Sequence, residues 1–123
     1  MKTSFLGLRT VIYKVSDLNK AKAWYSNVFN VLPYFDEPFH VGFTIGGYEL
    51  GLQPEEKSGK KSENVYVYWG VENVQKEYNR LLSLGATNHE APQHVGGEIV
   101  VATVKDPWHN ILGIIYNPEF KLD

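Results

Sequence analysis

The sequence contains no cysteine. Disulfides, thiolate metal sites and cysteine nucleophiles are therefore excluded, and a reducing compartment fits. It also lacks any apolar run near the ~20 residues that a membrane-crossing helix needs. The N-terminal "MKTSFLGLRT" is too short in apolar character for a secretory signal. Neither sign of charge dominates: 12 Lys and Arg stand against 14 Asp and Glu, with no basic stripe. Nucleic acid is thus not an expected partner, and neither is a membrane. A P-loop, a dinucleotide-binding glycine fingerprint and an HExxH zinc motif are all missing, and nothing marks a nucleophile elbow. These absences point to a cytoplasmic protein whose chemistry, if any, uses oxygen and nitrogen side chains.

What is present suits a folded domain. Apolar residues make up 43% of the 123, enough for a core, and the aromatic content argues against disorder. Residues 8–15, "LRTVIYKV", are β-branched and aromatic, which predicts a strand. Residues 16–29 change period: Leu18, Ala21, Tyr25 and Val28 recur at helical spacing behind a capping Ser16 or Asp17. Residues 31–38 read as a short strand interrupted by prolines. Residues 39–54 read as a hairpin turning at Gly46-Gly47.

The polar segment 55–64, "EEKSGKKSEN", is the best linker candidate, and the pattern then restarts. Residues 65–71 predict a strand. Residues 72–85 predict a helix with Val74, Tyr78, Leu81 and Leu82 on one face and Gly85 as its stop. Residues 86–94 hold a short strand or a loop. Residues 97–104 and 110–117 predict two strands joined by "KDPWH", with a turn at Gly96-Gly97. The order is βαβββ, linker, βαβββ. The halves match weakly, at a shift of 56 around the helix starts and of 64 in the last strands. The expected fold class is α+β: two tandem βαβββ modules, about 6–54 and 65–118, form one domain over 1–123. Its curled eight-stranded sheet surrounds a central trough, with the helices on the convex face.

Three stretches carry a family resemblance. "YKVSDLNKAKAWYSNVF" resembles the first-module signature of the vicinal oxygen chelate superfamily, which includes glyoxalase I, bleomycin and fosfomycin resistance proteins and extradiol dioxygenases. "GGYELGL" resembles its fourth strand, and "VKDPWHNILGIIYNP" resembles its closing turn and last strand. The resemblance covers essentially the whole chain and implies a homodimer. In metal-dependent members it implies His or Glu ligands from the first, fourth, fifth and last strands. Those positions are Thr10, Glu49, Tyr66 and Gly113 here, so only Glu49 matches. A catalytic zinc site normally has three protein ligands. No metal cofactor is therefore expected, with a divalent ion retained as the alternative.

Strand alternation groups Glu49 with Gly51 and Gln53, opposite Leu50 and Leu52. Glu49 is thus the candidate anchor or general base, with a raised pKa expected for the latter role; a merely solvated carboxylate is the plain alternative. Tyr66 and Tyr68 are expected to line the trough, and Val65, Val67, Trp69 and Val71 the core. Thr10, Trp108 and Gly113 complete the candidate ligand-binding set. Phe39, Val41 and Phe43 alternate with His40, Gly42 and Thr44, and either face could line the trough. His89, His94 and His109 read as loop or turn residues.

The favoured function is binding of a small organic molecule without the usual metal. One alternative is a metal-dependent lyase, isomerase or dioxygenase that uses Glu49. Another is a non-catalytic dimeric interaction protein.

Overall fold

A computed structural model describes residues 2–57 and 59–122. The first βαβββ module runs β1 (Thr10–Val15), α1 (Leu18–Phe29), β2 (Phe35–Glu37), β3 (His40–Ile45) and β4 (Tyr48–Pro54). The second runs β5 (Tyr68–Gly70), α2 (Val74–Ser83), β6 (Thr87–Gly96), β7 (Ile99–Lys105) and β8 (Ile111–Tyr116). Hydrogen bonding divides the eight strands into two four-stranded sheets, ordered β1-β4-β3-β2 and β5-β8-β7-β6. In each, the first strand runs parallel to the last and the others pair antiparallel. The chain separates into compact units at Met1–Ser58 and Gly59–Asp123, so the division falls inside the polar segment 55–64. Among the described residues, no helix is long and apolar enough to cross a membrane.

Each module builds its core between its helix and one face of its sheet. In the first, Val15, Val41, Phe43, Leu50 and Leu52 are buried with Ala21 and Tyr25 of α1. The Tyr13 ring packs tilted against Tyr25, with ring centroids 6.0 Å apart. Burying each such large side chain contributes about 2 kcal/mol. In the second, Ala102, Val104, Leu112 and Ile114 are buried with Val74, Tyr78 and Leu81 of α2. The helix starts repeat. The Asp17 side chain accepts from the Lys20 N–H and Asn73 from the Lys76 N–H, both at 3.0 Å. These caps lie 73 − 17 = 56 residues apart, the spacing read from the sequence.

Three expectations change. Strand β5 begins at Tyr68 rather than residue 65, and Val65 is exposed rather than in the core. Strand β1 likewise begins at Thr10 rather than residue 8. Leu8 and Val65 lie beyond the parallel ladders: β4 starts at Tyr48, just after the Gly46-Gly47 turn, and β8 at Ile111, so neither residue has a strand partner. Residues 87–96 form a ten-residue strand where a short strand or loop was expected. The missing N–H of Pro92 is tolerated because β6 is an edge strand with register shifts on both sides of Glu90.

The closing turn of the second module is organised by one buried carboxylate. Asp106 Oδ1 accepts from the backbone N–H groups of Trp108 and Asn110, both at 2.8 Å, and Oδ2 accepts from the Asn110 side chain at 3.1 Å. This folds the chain back so tightly that His109 takes a left-handed φ of 69°. Such a conformation is costly for a residue with a Cβ. Replacing His109 with glycine is expected to raise stability by up to about 1 kcal/mol. Asp106→Ala strands buried N–H groups and is expected to cost about 2 kcal/mol or more. Urea unfolding of the two variants beside the wild type checks both signs.

Candidate functional site

The face of the first sheet opposite α1 carries three rows of cross-strand neighbours. Thr10, Glu49 and Thr44 form one row; Ile12, Gly51, Gly42 and Phe35 form the next. Lys14 pairs with Gln53, and His40 stands one step beyond the Val41–Leu52 pair, beside Gln53. The sequence left open which face of β3 joined this surface. Burial of Val41 and Phe43 assigns His40, Gly42 and Thr44 to it.

The middle row is nearly empty because its two central residues are glycines. A Cβ on Gly42 would lie 2.6 Å from Glu49 Oε2 and 2.9 Å from the Tyr34 ring. One on Gly51 would lie 2.6 Å from Ile12 Cδ1 and 2.7 Å from His40 Cε1. The space left by the glycines lets His40 reach diagonally to Glu49 and lets Tyr34 lie down beside it. Tyr34 is held there by its own N–H, which donates to the Gly42 carbonyl at 2.9 Å.

Glu49 is the centre of this arrangement. Its Oε1 accepts from the Thr10 hydroxyl at 2.5 Å. Its Oε2 accepts from the Tyr34 hydroxyl and meets His40 Nε2 at 3.2 Å. These hydrogen bonds, Thr10 first and then Tyr34, hold Glu49 below the usual carboxylate range, against the opposing effect of burial. The raised pKa expected for a general base is therefore not found; Glu49 is a stabilised anion. Tyr34 is pushed up in turn, chiefly by its hydrogen bond to Glu49. Aromatic rings flank the site. Phe35 lies 5.8 Å from His40 and 5.9 Å from Phe39, and Phe39 and Tyr34 are well exposed.

Tyr66, Tyr68 and Gly113 lie in the second module. Tyr68 stands opposite Gly113 in the β5–β8 ladder, as Thr10 stands opposite Glu49 in β1–β4. Tyr68 rather than Tyr66 thus occupies the ladder position of Thr10: it stands 73 − 68 = 5 residues before its helix cap, where Thr10 stands 17 − 10 = 7 before its own. Gly113 makes room for protein: a Cβ there would lie 2.5 Å from the Val67 carbonyl oxygen and 2.7 Å from the Tyr68 ring. Tyr66 precedes the strand and meets Tyr68 and His89 edge-on, at 6.3 and 5.6 Å. Partial desolvation, then a hydrogen bond to Glu90, raises its pKa; desolvation, then the Glu90 charge, raises that of Tyr68. Trp108 lies half-buried in the Asp106 turn. His89 and His94 do not act as a pair. His89 Nδ1 bonds Thr103 at 2.8 Å, while His94 lines a groove of about 330 Å³ with Pro92 and Tyr116.

The residues at the family's metal positions do not fit a metal site. The Thr10 hydroxyl donates its hydrogen bond to Glu49, Tyr66 and Tyr68 offer only neutral phenols, and Gly113 has no space for a carboxylate. Among the described residues, no group of three or more His, Asp or Glu side chains is placed to hold an ion. The functional side chains that sequence reasoning missed are Tyr34 and His40. The alternation of β3 was the available signal for His40. Tyr34 sits outside any strand and gave none.

A depressed carboxylate pKa adds stability that is present above the unfolded value of about 4.3 and lost as pH falls through the folded value. Glu49→Gln is accordingly expected to be less stable than wild type at pH 7. The difference should shrink on acidification toward pH 3. Thermal unfolding of both proteins across that range measures it, and a gap independent of pH would contradict the assignment.

Comparison with known proteins agrees with this architecture. Residues 7–114 match the family model of the Glyoxalase/Bleomycin resistance protein/Dioxygenase superfamily. The uncharacterized protein YurT of Bacillus subtilis (strain 168) is 32% identical over an alignment of 77 residues that covers 56% of this chain. The match spans 60% of the length of that curated relative. A glyoxalase-related enzyme from Fulvimarina pelagi superposes with a TM-score of 0.81 at 16% identity, covering 97% of this chain and 94% of its own. The genomically encoded fosfomycin resistance protein of Listeria monocytogenes gives 0.73 at 21% identity, covering 96% and 97%. At such identities the structures share the fold alone. Since the family model spans most of the sequence, the chain belongs to the glyoxalase/bleomycin resistance protein/dioxygenase superfamily.

Proposed function

We propose that this protein is a cytoplasmic small-molecule-binding member of the superfamily, active as a homodimer. The ligand is anchored at Glu49 on the first sheet, without a metal held at the family's usual positions. The observation that carries the reading is the state of Glu49. A carboxylate that accepts hydrogen bonds from Thr10, Tyr34 and His40 is a poor proton acceptor and a good fixed anion. A carboxylate has roughly four acceptor positions. One bond to Oε1 and two to Oε2 leave one position on Oε1 for a ligand. Tyr34, Phe35 and Phe39 add ring faces nearby, the surroundings that favour an organic cation. Exposed apolar surface at Leu32 and Phe39 is available to a partner copy. Sequestration of such a ligand needs positioning and charge complementarity only.

The test is a calorimetric comparison of benzylamine and benzyltrimethylammonium with benzyl alcohol and phenylacetate. The cations are expected to bind, the carboxylate not. Glu49→Gln is expected to weaken cation binding at least about tenfold, equivalent to 1.4 kcal/mol. Equal binding of amine and carboxylate, or no effect of the substitution, overturns the reading.

One observation favours a second reading, a metal-dependent lyase, isomerase or dioxygenase. His40 Nε2 and Glu49 Oε2 converge within 3.2 Å, an imidazole and a carboxylate of the kinds that ligate first-row metals. Two protein ligands would then need substrate oxygens to complete the shell. Elemental mass spectrometry of purified protein separates the readings. The binding reading expects no stoichiometric metal. The metal reading expects near one ion per chain, lost in both His40→Gln and Glu49→Gln.

A further inference from the structure

Behind His40 lie two side chains that the binding reading has not used, Gln53 and Lys14. Lys14 Nζ donates to Gln53 Oε1 at 2.7 Å. Gln53 Nε2 lies 3.1 Å from His40 Nδ1, and His40 Nε2 lies 3.2 Å from Glu49 Oε2. The direction of every proton along this line follows from donor and acceptor chemistry. An ammonium group can only donate, so it fixes the carbonyl oxygen of Gln53 on its own side. The amide nitrogen of Gln53 must then face His40, and an amide NH₂ can only donate. His40 Nδ1 is left to accept, so the ring proton sits on Nε2 and is donated to Glu49. Ionised Glu49 is the acceptor that this orientation requires.

We infer that Lys14 and Gln53 are positioning residues that lock His40 as an Nε2–H donor to Glu49. This deepens the binding reading and rests on it for its functional meaning. The lock has two consequences for the anchor. His40 occupies one acceptor position of Oε2 permanently, so ligand donors are directed to Oε1. Its Nε2 is also closed to proton abstraction and to a metal ion unless the line is broken. The number of hydrogen bonds Glu49 can accept from a ligand is thus limited from Lys14, on the first strand, through two intervening side chains. The line is an outcome of register: Lys14 and Gln53 are direct partners in the parallel β1–β4 ladder, and His40 is the next neighbour across β4.

The experiment is nitrogen-15 NMR of the histidine rings in the ligand-free protein, with His40→Gln assigning the His40 signals. In wild type, His40 is expected to show a protonated Nε2 and an unprotonated Nδ1. Imidazole in water already leans to that form, so the variants are the discriminating arms. Gln53→Glu replaces the NH₂ donor by a second acceptor and is expected to bring a proton to Nδ1. Lys14→Met frees the amide to turn over and is expected to give a mixture of the two ring forms. A wild-type Nδ1–H form, or variants indistinguishable from wild type, overturns the inference. Each substitution lies on the sheet face away from the core, and the wild-type spectrum is a test that needs no variant to fold. Because no ligand is present, the lock can fail while cation binding at Glu49 stands, and the reverse.

Discussion

Two glycines facing each other across a pair of strands make the site possible. Gly42 and Gly51 are direct partners in the β3–β4 ladder, and neither position tolerates a Cβ without displacing a side chain of the Glu49 cluster. A sheet surface normally places side chains about 5 Å apart in rows, each touching its neighbours in its own row. Removing the middle row lets residues of the outer rows meet diagonally. His40 crosses it to reach Glu49, and Tyr34 fills the rest from outside the sheet. The hydrogen-bonded anion is therefore a product of missing atoms as much as of present ones.

The same device has a different outcome in the second module. Gly113 holds the ladder position that Glu49 holds in the first, and the vacated space is taken by the Tyr68 ring and the Val67 carbonyl. One module thus exposes an ionised carboxylate supported by hydroxyls and an imidazole, while the other closes with an aromatic side chain. Two copies of one topology have taken separate roles, and the electrostatics follow the side chains rather than the fold. A carboxylate whose partners are all donors stays charged. A phenol beside Glu90 stays neutral to higher pH.

Element type was legible wherever local chemistry was strong. The helix caps at Asp17 and Asn73, the Gly46-Gly47 and Gly96-Gly97 turns and the Gly85 helix stop each rest on the conformational preference of one or two residues. Strand ends were less legible at Val65 and Leu8, since pairing ends where the partner ends. Strand β6 was hardest, because its polar residues and Pro92 resemble a loop until the edge position of the strand is known. Within the site, alternation correctly turned Glu49 away from Leu50 and Leu52 and put Thr10 on the same side. The protonation tendency of Glu49 went the other way from a buried-base expectation, because three donors outweigh partial burial.

By itself, the sequence determined the α+β class, the repeated βαβββ order, the family and the absence of the usual metal-ligating residues at Thr10, Tyr66 and Gly113. These depend on residue identity and short spacings, which a linear chain displays. The tertiary structure decided that Tyr34 and His40 join Glu49, that Lys14 and Gln53 stand behind them, and that Tyr68 rather than Tyr66 faces Gly113. Those facts depend on ladder register between residues up to 113 − 68 = 45 positions apart and on the space beside two glycines. Pairing across the sheet turns scattered residues into a directed line of hydrogen bonds, and no local pattern encodes that line.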